Sequence, residues 1–192
     1  MLSPSHYQAV NRFAASLILL KKIFHTCYNK YPIFYNQNRE NIMVNFRKID
    51  EENFAEIIQM KRPDHENFVA PIAYSLAQAW LYKDNNDVYP FAIYDDETPV
   101  GFMMLDEDIE ERCLVIWRIL FPVEHQYKGY GTQAIGKIIQ MAKNSGKYDS
   151  MTIDCVPENT VAKHVYEKLG FEPTGNIVND GEIELKLLLT KG

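Results

Sequence analysis

A chain of 192 residues with 46% apolar and 24% charged side chains has the material for one folded domain with its own core. Its formal net charge of −6 excludes a nucleic-acid binder working through a basic face, because counterion release needs clustered Lys and Arg. Three cysteines, Cys27, Cys113 and Cys155, are too few and too scattered for a disulfide framework or a metal site, so they read as free thiols of a cytoplasmic protein.

Residues 1–42 carry five basic side chains against Glu40 alone, which leaves a net charge of −10 for residues 43–192. An acidic body of this kind attracts a small cationic molecule. The apolar run Ala14–Leu20 is far shorter than the roughly 20 residues a bilayer-crossing helix takes, so no membrane is expected as a partner. A signal peptide would carry basic residues before the run and a small-residue cleavage site after it, and neither is clear, so none is expected. We read 1–42 as an N-terminal appendage to a domain spanning 43–192.

From Met43 strands and helices follow in order. Residues 44–49 read as a strand, and Asp50 is placed to cap a helix reaching about Met60. Helical spacing of Ile72, Leu76, Ala79 and Trp80 predicts a second helix from about Phe68 to Tyr82. Tyr89–Tyr94 and Val100–Leu105 read as strands joined by a turn over 95–99. An acidic turn, Asp106–Glu111, leads into an apolar strand, Cys113–Phe121. A helix from Gly131 to about Ser145 carries Ile135, Ile138, Ile139 and Ala142 on one face. Met151–Cys155 reads as a strand and Thr160–Leu169 as a helix with Ala162, Val165, Tyr166 and Leu169 on one face. Phe171–Val178 and Glu182–Leu189 close the chain as a hairpin across residues 179–181. Such an order predicts an α/β fold of three layers, with helices on both faces of a mixed sheet of six to seven strands.

Two segments carry chemistry. Gln126-Tyr127-Lys128-Gly129-Tyr130-Gly131-Thr132 joins the apolar strand to a helix. Its glycines let successive backbone N–H groups converge where the helix N-terminus adds partial positive charge, and together these suit a pyrophosphate. The segment lacks the Gly-Lys-Ser/Thr ending of a Walker loop. Ala134 stands where a dinucleotide fingerprint has its third glycine, and the next strand lacks that pattern's ribose-binding acid. Further on, Asn159 opens a helix that it can cap, or it can bond a ligand, and Gly170 ends that helix. Tyr166 on it is a core aromatic or a phenol able to give a proton to a leaving group.

Gln126-x-x-Gly129-x-Gly131 followed by Asn159-x-x-Ala162-x-x-x-Tyr166-x-x-x-Gly170-Phe171 resembles the GNAT N-acetyltransferase family, from Met43 to about Leu189. The resemblance implies a twisted sheet splayed open beside Phe121, with acetyl-CoA as cosubstrate. It implies that Phe121 and Val123, the amides of Tyr127, Lys128, Gly129, Tyr130, Gly131 and Thr132, together with Gln126 and Asn159, hold that cosubstrate. It further implies a backbone N–H near Phe121 as oxyanion donor, and Tyr166 as the acid that protonates the CoA thiolate. Within the family the chain is similar to bacterial spermine/spermidine (diamine) acetyltransferases through Phe68-Val69-Ala70, residues 74–79, Trp117-Arg118 and Asp180-Gly181-Glu182-Ile183.

That likeness implies a polyamine acceptor and a homodimer. A protein N-terminus or an aminoglycoside are other acceptors, and a non-catalytic acyl-CoA sensor is a further reading. Polyamine binding needs carboxylates for the ammonium groups and aromatic faces for the methylene stem. Tyr74, Trp80, Tyr82 and Glu182, with Asp106, Glu107, Asp108, Glu110 and Glu111, are the material for it. A primary amine with a pKa near 10 is almost all ammonium at neutral pH, so the site needs a base. Glu124 and His125 lie just before the phosphate turn and Asp154 lies at a strand end; Glu124 is the first candidate. Direct attack in a ternary complex is preferred over a covalent route through Cys155, which nothing in the sequence activates.

Overall fold

The computed structural model describes residues 44–61, 68–179 and 181–189. Seven strands form one sheet: β1 (Val44–Lys48), β2 (Val88–Asp95), β3 (Thr98–Asp108), β4 (Cys113–Leu120), β5 (Ser150–Cys155), β6 (Glu172–Val178) and β7 (Glu182–Leu188). Their spatial order is β1-β2-β3-β4-β5-β7-β6. Every pairing is antiparallel except β4 with β5, which are parallel and joined through a crossover helix.

Among the described residues four helices cover the two faces: α1 (Phe54–Ile57), α2 (Ile72–Leu81), α3 (Tyr130–Ser145) and α4 (Thr160–Lys168). Period-2 alternation along the strands sends Met103, Ile116, Met151, Ile153 and Leu185 to one core, where they meet Ile135, Ile138, Ile139 and Tyr166 from α3 and α4. The alternate residues Ala92, Phe102, Met104 and Leu120 pack on Ile57 and Ile72 of α1 and α2. The three-layer expectation therefore holds, as does the buried face of α3 at Ile135, Ile138, Ile139 and Ala142.

The first two helices are shorter than expected. Asp50 caps nothing; its carboxylate accepts from the Glu52 amide, and a turn delays the helix until Phe54. Asn53 stands at that helix's start but donates to Lys48 O at 2.8 Å, pinning the end of β1. The second helix begins at Ile72 because Pro71 stands at its N-cap and disfavours a helical backbone at Ala70. The acidic segment is strand as far as Asp108, not turn from Asp106. The boundary expected at 42/43, and Asp180 of the closing hairpin, lie outside the described residues.

Candidate active site

β4 and β5 pair over only four positions, from Cys113↔Ser150 to Ile116↔Ile153. Beyond them β4 continues to Leu120 beside β3, and β5 continues to Cys155 beside β7, so the two strands part while each keeps its other neighbour. A bulge sharpens the parting. Met104 pairs with Arg118 and Leu105 with Ile116, so Trp117 is an extra residue on β4. An extra residue bends its strand and increases the local twist. Among the described residues the β5-facing edge of residues 117–120 has no strand partner, which leaves a template for an extended ligand arm.

Phe121 ends this edge and is held from four sides. Gln126 Nε2 donates to Phe121 O at 3.0 Å. The Tyr130 ring stacks on Phe121 at 6.4 Å between centroids and 16° between planes. A Cβ on Gly131 would lie 3.5 Å from the Phe121 ring, and one on Gly101 would lie 2.7 Å from both Leu120 O and the ring. The motif glutamine thus serves the strand end directly. Gly101 was not singled out from sequence, although a glycine inside a strand pattern is the ordinary signal of close backbone approach.

The turn that follows is built for an anion. A single 3-10 turn, Val123–His125, leads to Tyr127 at φ +58° and Gly129 at φ +89°, both left-handed. The first backbone bond returned within α3 runs from Gln133 N to Gly129 O at 3.1 Å. The amides of Tyr130, Gly131 and Thr132 precede it and belong to the open donor set of a helix N-terminus. The turn is anchored from beneath, where Tyr130 Oη donates to Asp95 Oδ2 at 2.7 Å. Burial and this bond push the Tyr130 phenol up to about 12. Lys128 and Tyr127 are exposed at the rim, as are Val123 and Glu124 on the short turn, while Thr132 is half-buried.

The chain leaving β5 opens the second half. Asn159 does cap α4, its Oδ1 accepting from Ala162 N at 3.3 Å. Tyr166, two turns along, is buried against Phe171 with ring centroids 6.4 Å apart. Cys155 is unsuited to a nucleophile's role. Burial, then Glu182, push its thiol up to about 11, and it donates to Val156 O at 3.3 Å and to Asn159 O at 3.7 Å.

On the α1/α2 face the parted strands leave a polar groove. Asp154 and Glu184 are direct partners across β5 and β7, and Glu182 shares their face two residues away. Arg118, re-aimed by the bulge, stands across the gap from them. Its Nη1 donates to Trp117 O at 2.7 Å, while its buried Nε has no hydrogen-bond partner among the described residues. Burial lowers the guanidinium's pKa, and Glu182, Tyr74 and Asp154 oppose that shift. Tyr74 and Glu182 are therefore brought together around Arg118, as the sequence reading grouped them.

Trp80 is not. Six residues from Tyr74 on one helix, it faces another direction, is 68% exposed and carries Lys83 Nζ at 4.5 Å from its ring. The aromatic pair at the bulge is instead Tyr82 with Trp117, 6.0 Å between centroids. The acidic run is also elsewhere: Asp106, Glu107 and Asp108 pair with Val115, Leu114 and Cys113, at the far end of β4 from the splay. There Glu107 accepts from Tyr148 Oη and from Lys147 Nζ, so it is used within the fold.

The open edge of β4 and the free amides at the start of α3 offer pairing for an extended arm and donors for a phosphate, the two parts an acyl-CoA presents. Residues 45–171 match the acetyltransferase (GNAT) family, and this chain belongs to it. It is an acetyltransferase with acetyl-CoA as its cosubstrate, and the open amides and strand edge fit that molecule.

Spermidine N-acetyltransferase from Vibrio cholerae, solved with CoA and spermine, is similar at a TM-score of 0.65 and 17% identity, over 79% of this chain and 98% of that one. The same enzyme's dodecameric structure in an intermediate state gives a TM-score of 0.61 at 17% identity, over 79% and 96%. A proposed ribosomal-protein-serine acetyltransferase from Vibrio cholerae gives 0.62 at 15% identity, over 78% and 95%. A comparison with curated proteins found no match. Among the described residues no helix is long and apolar enough to cross a membrane.

Gly129 offers a direct test of the turn. At φ +89° a side chain is strained by about 1–2 kcal/mol, although among the described residues an added Cβ meets only Gln133 Nε2, at 3.9 Å. Free Gly129→Ala relieves that strain by leaving the left-handed turn, and acetyl-CoA binding must restore it, so the KM for acetyl-CoA is expected to rise about tenfold with kcat little changed. Steady-state kinetics at saturating amine would check it.

Proposed function

We propose that this protein moves an acetyl group from acetyl-CoA to a primary amine of a polycationic small molecule, with spermine and spermidine as the leading acceptors. The observation that carries the reading is the groove wall formed by Asp154, Glu182 and Glu184 beside the splay, faced by the half-buried Arg118. Three carboxylates against one guanidinium leave the wall net negative, which suits ammonium groups. Tyr74 at the groove offers an aromatic face for a methylene stem. The likeness to a spermidine N-acetyltransferase supports the same acceptor class.

In this reading the strand edge at residues 117–121 pairs with the pantetheine arm. The amides of Tyr127 to Thr132, with Lys128, receive the pyrophosphate, and Val123 and Asn159 flank it. The backbone N–H near Phe121 stabilises the oxyanion, and Tyr166 protonates the departing sulfur. Glu124 and Asp154 are the two carboxylates that stand as candidates for the base. Attack is direct, in a ternary complex. We further propose a cytoplasmic homo-oligomer, a dimer as its smallest form.

The test is CoA release with spermine, spermidine, an aminoglycoside and short peptides as separate acceptors. Turnover is expected on the polyamines. Turnover confined to peptide N-termini, or acetyl-CoA binding with no acceptor turned over, would overturn the proposal.

A further inference from the structure

We propose that Asp154 is the proton acceptor of the transfer, the carboxylate that takes a proton from the acceptor ammonium at the mouth of the splay; this rests on the amine-acetyltransferase reading above. Asp154 is the first residue of β5 beyond its last pair with β4, Ile116↔Ile153. Its neighbours Ile153 and Cys155 face the α3/α4 core, so strand alternation turns Asp154 to the open groove on the opposite face. The β4 bulge brings Arg118 to that same opening. One carboxylate oxygen, Oδ2, is steadied by Asn179 Nδ2 at 3.4 Å, and Oδ1 receives no hydrogen bond from the described residues.

The groups facing Asp154 poise it for the task. Burial, then Glu182 and Glu184 on β7, raise its pKa above the ordinary aspartate range; Arg118 on β4 and the Asn179 bond act the other way. Tyr74 from α2 reaches the cluster through Arg118. A carboxylate raised toward neutrality accepts a proton more readily than an exposed one. Glu124, by contrast, is exposed on the short turn beyond Phe121.

An Asp154 oxygen takes one proton from the ammonium, and the freed nitrogen lone pair forms the C–N bond to the thioester carbonyl carbon. The C–S bond breaks and sulfur leaves with its electron pair, protonated by Tyr166. The Tyr166 phenolate recovers a proton from the new amide nitrogen, and Asp154 gives its proton to water. The sum is ammonium plus acetyl-CoA to amide, CoA thiol and one proton.

The experiment compares wild type, Asp154→Asn and Glu124→Gln on the amine that wild type acetylates best. With Asp154 as base, wild-type kcat/KM is flat between the pKa of Asp154 and that of the amine. Asp154→Asn is expected to lower kcat/KM roughly a hundredfold at pH 7. It also converts the plateau to a log-linear rise reaching up to the amine's own pKa, while acetyl-CoA affinity stays at the wild-type value. Glu124→Gln is expected to keep the plateau.

An Asp154→Asn protein with wild-type rate and pH profile would overturn the proposal, as would a plateau lost in Glu124→Gln but kept in Asp154→Asn. If Asp154→Asn does not fold, Asp154→Ser is assayed with added formate. Restored turnover supports the role, and a folded variant that formate leaves inert overturns it. Wild type inert to every amine defeats the acceptor reading first, a result separable from any effect at Asp154.

Discussion

Tyr166→Phe is expected to lower kcat about a thousandfold, within the range by which a positioned acid or base speeds proton transfer. The substitution removes one hydroxyl and keeps the ring that packs on Phe171 in the α3/α4 core, so the fold and the acetyl-CoA site are expected to survive. Affinity for acetyl-CoA, read by direct titration, should therefore match wild type. The loss should concentrate in kcat, because a thiolate without a proton donor is a poor leaving group only in the transition state. A less basic leaving group needs that donor less. An acetyl thioester with an electron-withdrawn thiol should recover much of the lost rate in the variant and gain little in wild type. Full turnover by Tyr166→Phe on acetyl-CoA itself would remove Tyr166 from the mechanism.

Gly101→Ala should damage both stability and cosubstrate binding, although position 101 carries no side chain to contribute to either. Its Cβ would stand 2.7 Å from Leu120 O, 2.7 Å from Phe121 Cδ1 and 2.8 Å from Phe121 Cε1. The ring can rotate, but Leu120 O is backbone and can move only with β4. Phe102↔Leu120 is the terminal pair of the β3–β4 ladder, so the cheapest relief is to peel that end away. Overpacking of this kind costs about 1–3 kcal/mol, measurable as a lowered midpoint in urea. Peeling also shifts the Phe121 carbonyl from Gln126 and the strand edge from its ligand, so the KM for acetyl-CoA should rise more than tenfold. Unchanged midpoint and KM would contradict the contact between Gly101 and Phe121.

How much of this was legible beforehand follows from the range of each interaction. Strands and helices of the second half were readable because each obeys a local rule. The face of α3 follows a 3.6-residue period, and α4 starts where Asn159 accepts from Ala162 N and ends at Gly170 with φ +93°. The turn before α3 was readable in part for the same reason, since Gly129 takes φ +89° ahead of the helix, whereas the left-handed Tyr127 at φ +58° carries no such signal. The first two helices were less legible: one proline and one turn outweighed a plausible apolar spacing. The acceptor half failed in part because side-chain type says nothing of which end of a strand it occupies. Asp106, Glu107 and Asp108 look like amine ligands in sequence, yet strand pairing carries them to the end of β4 remote from the splay.

Residue types alone located two features of the donor half: a glycine-containing turn ahead of a helix, and a second helix capped by Asn159 that carries Tyr166. Both rest on contacts within a few residues of chain, where backbone conformation follows from residue type. The remaining features come from contacts between elements distant in sequence. They are the parting of β4 from β5 after Ile116, the seat of Phe121 on Gly101, and the meeting of Arg118 with Asp154, Glu182 and Tyr74. Those depend on register and on one bulged residue between strands distant in sequence. A register is chosen by the packing of whole faces against the two cores, not by any segment alone.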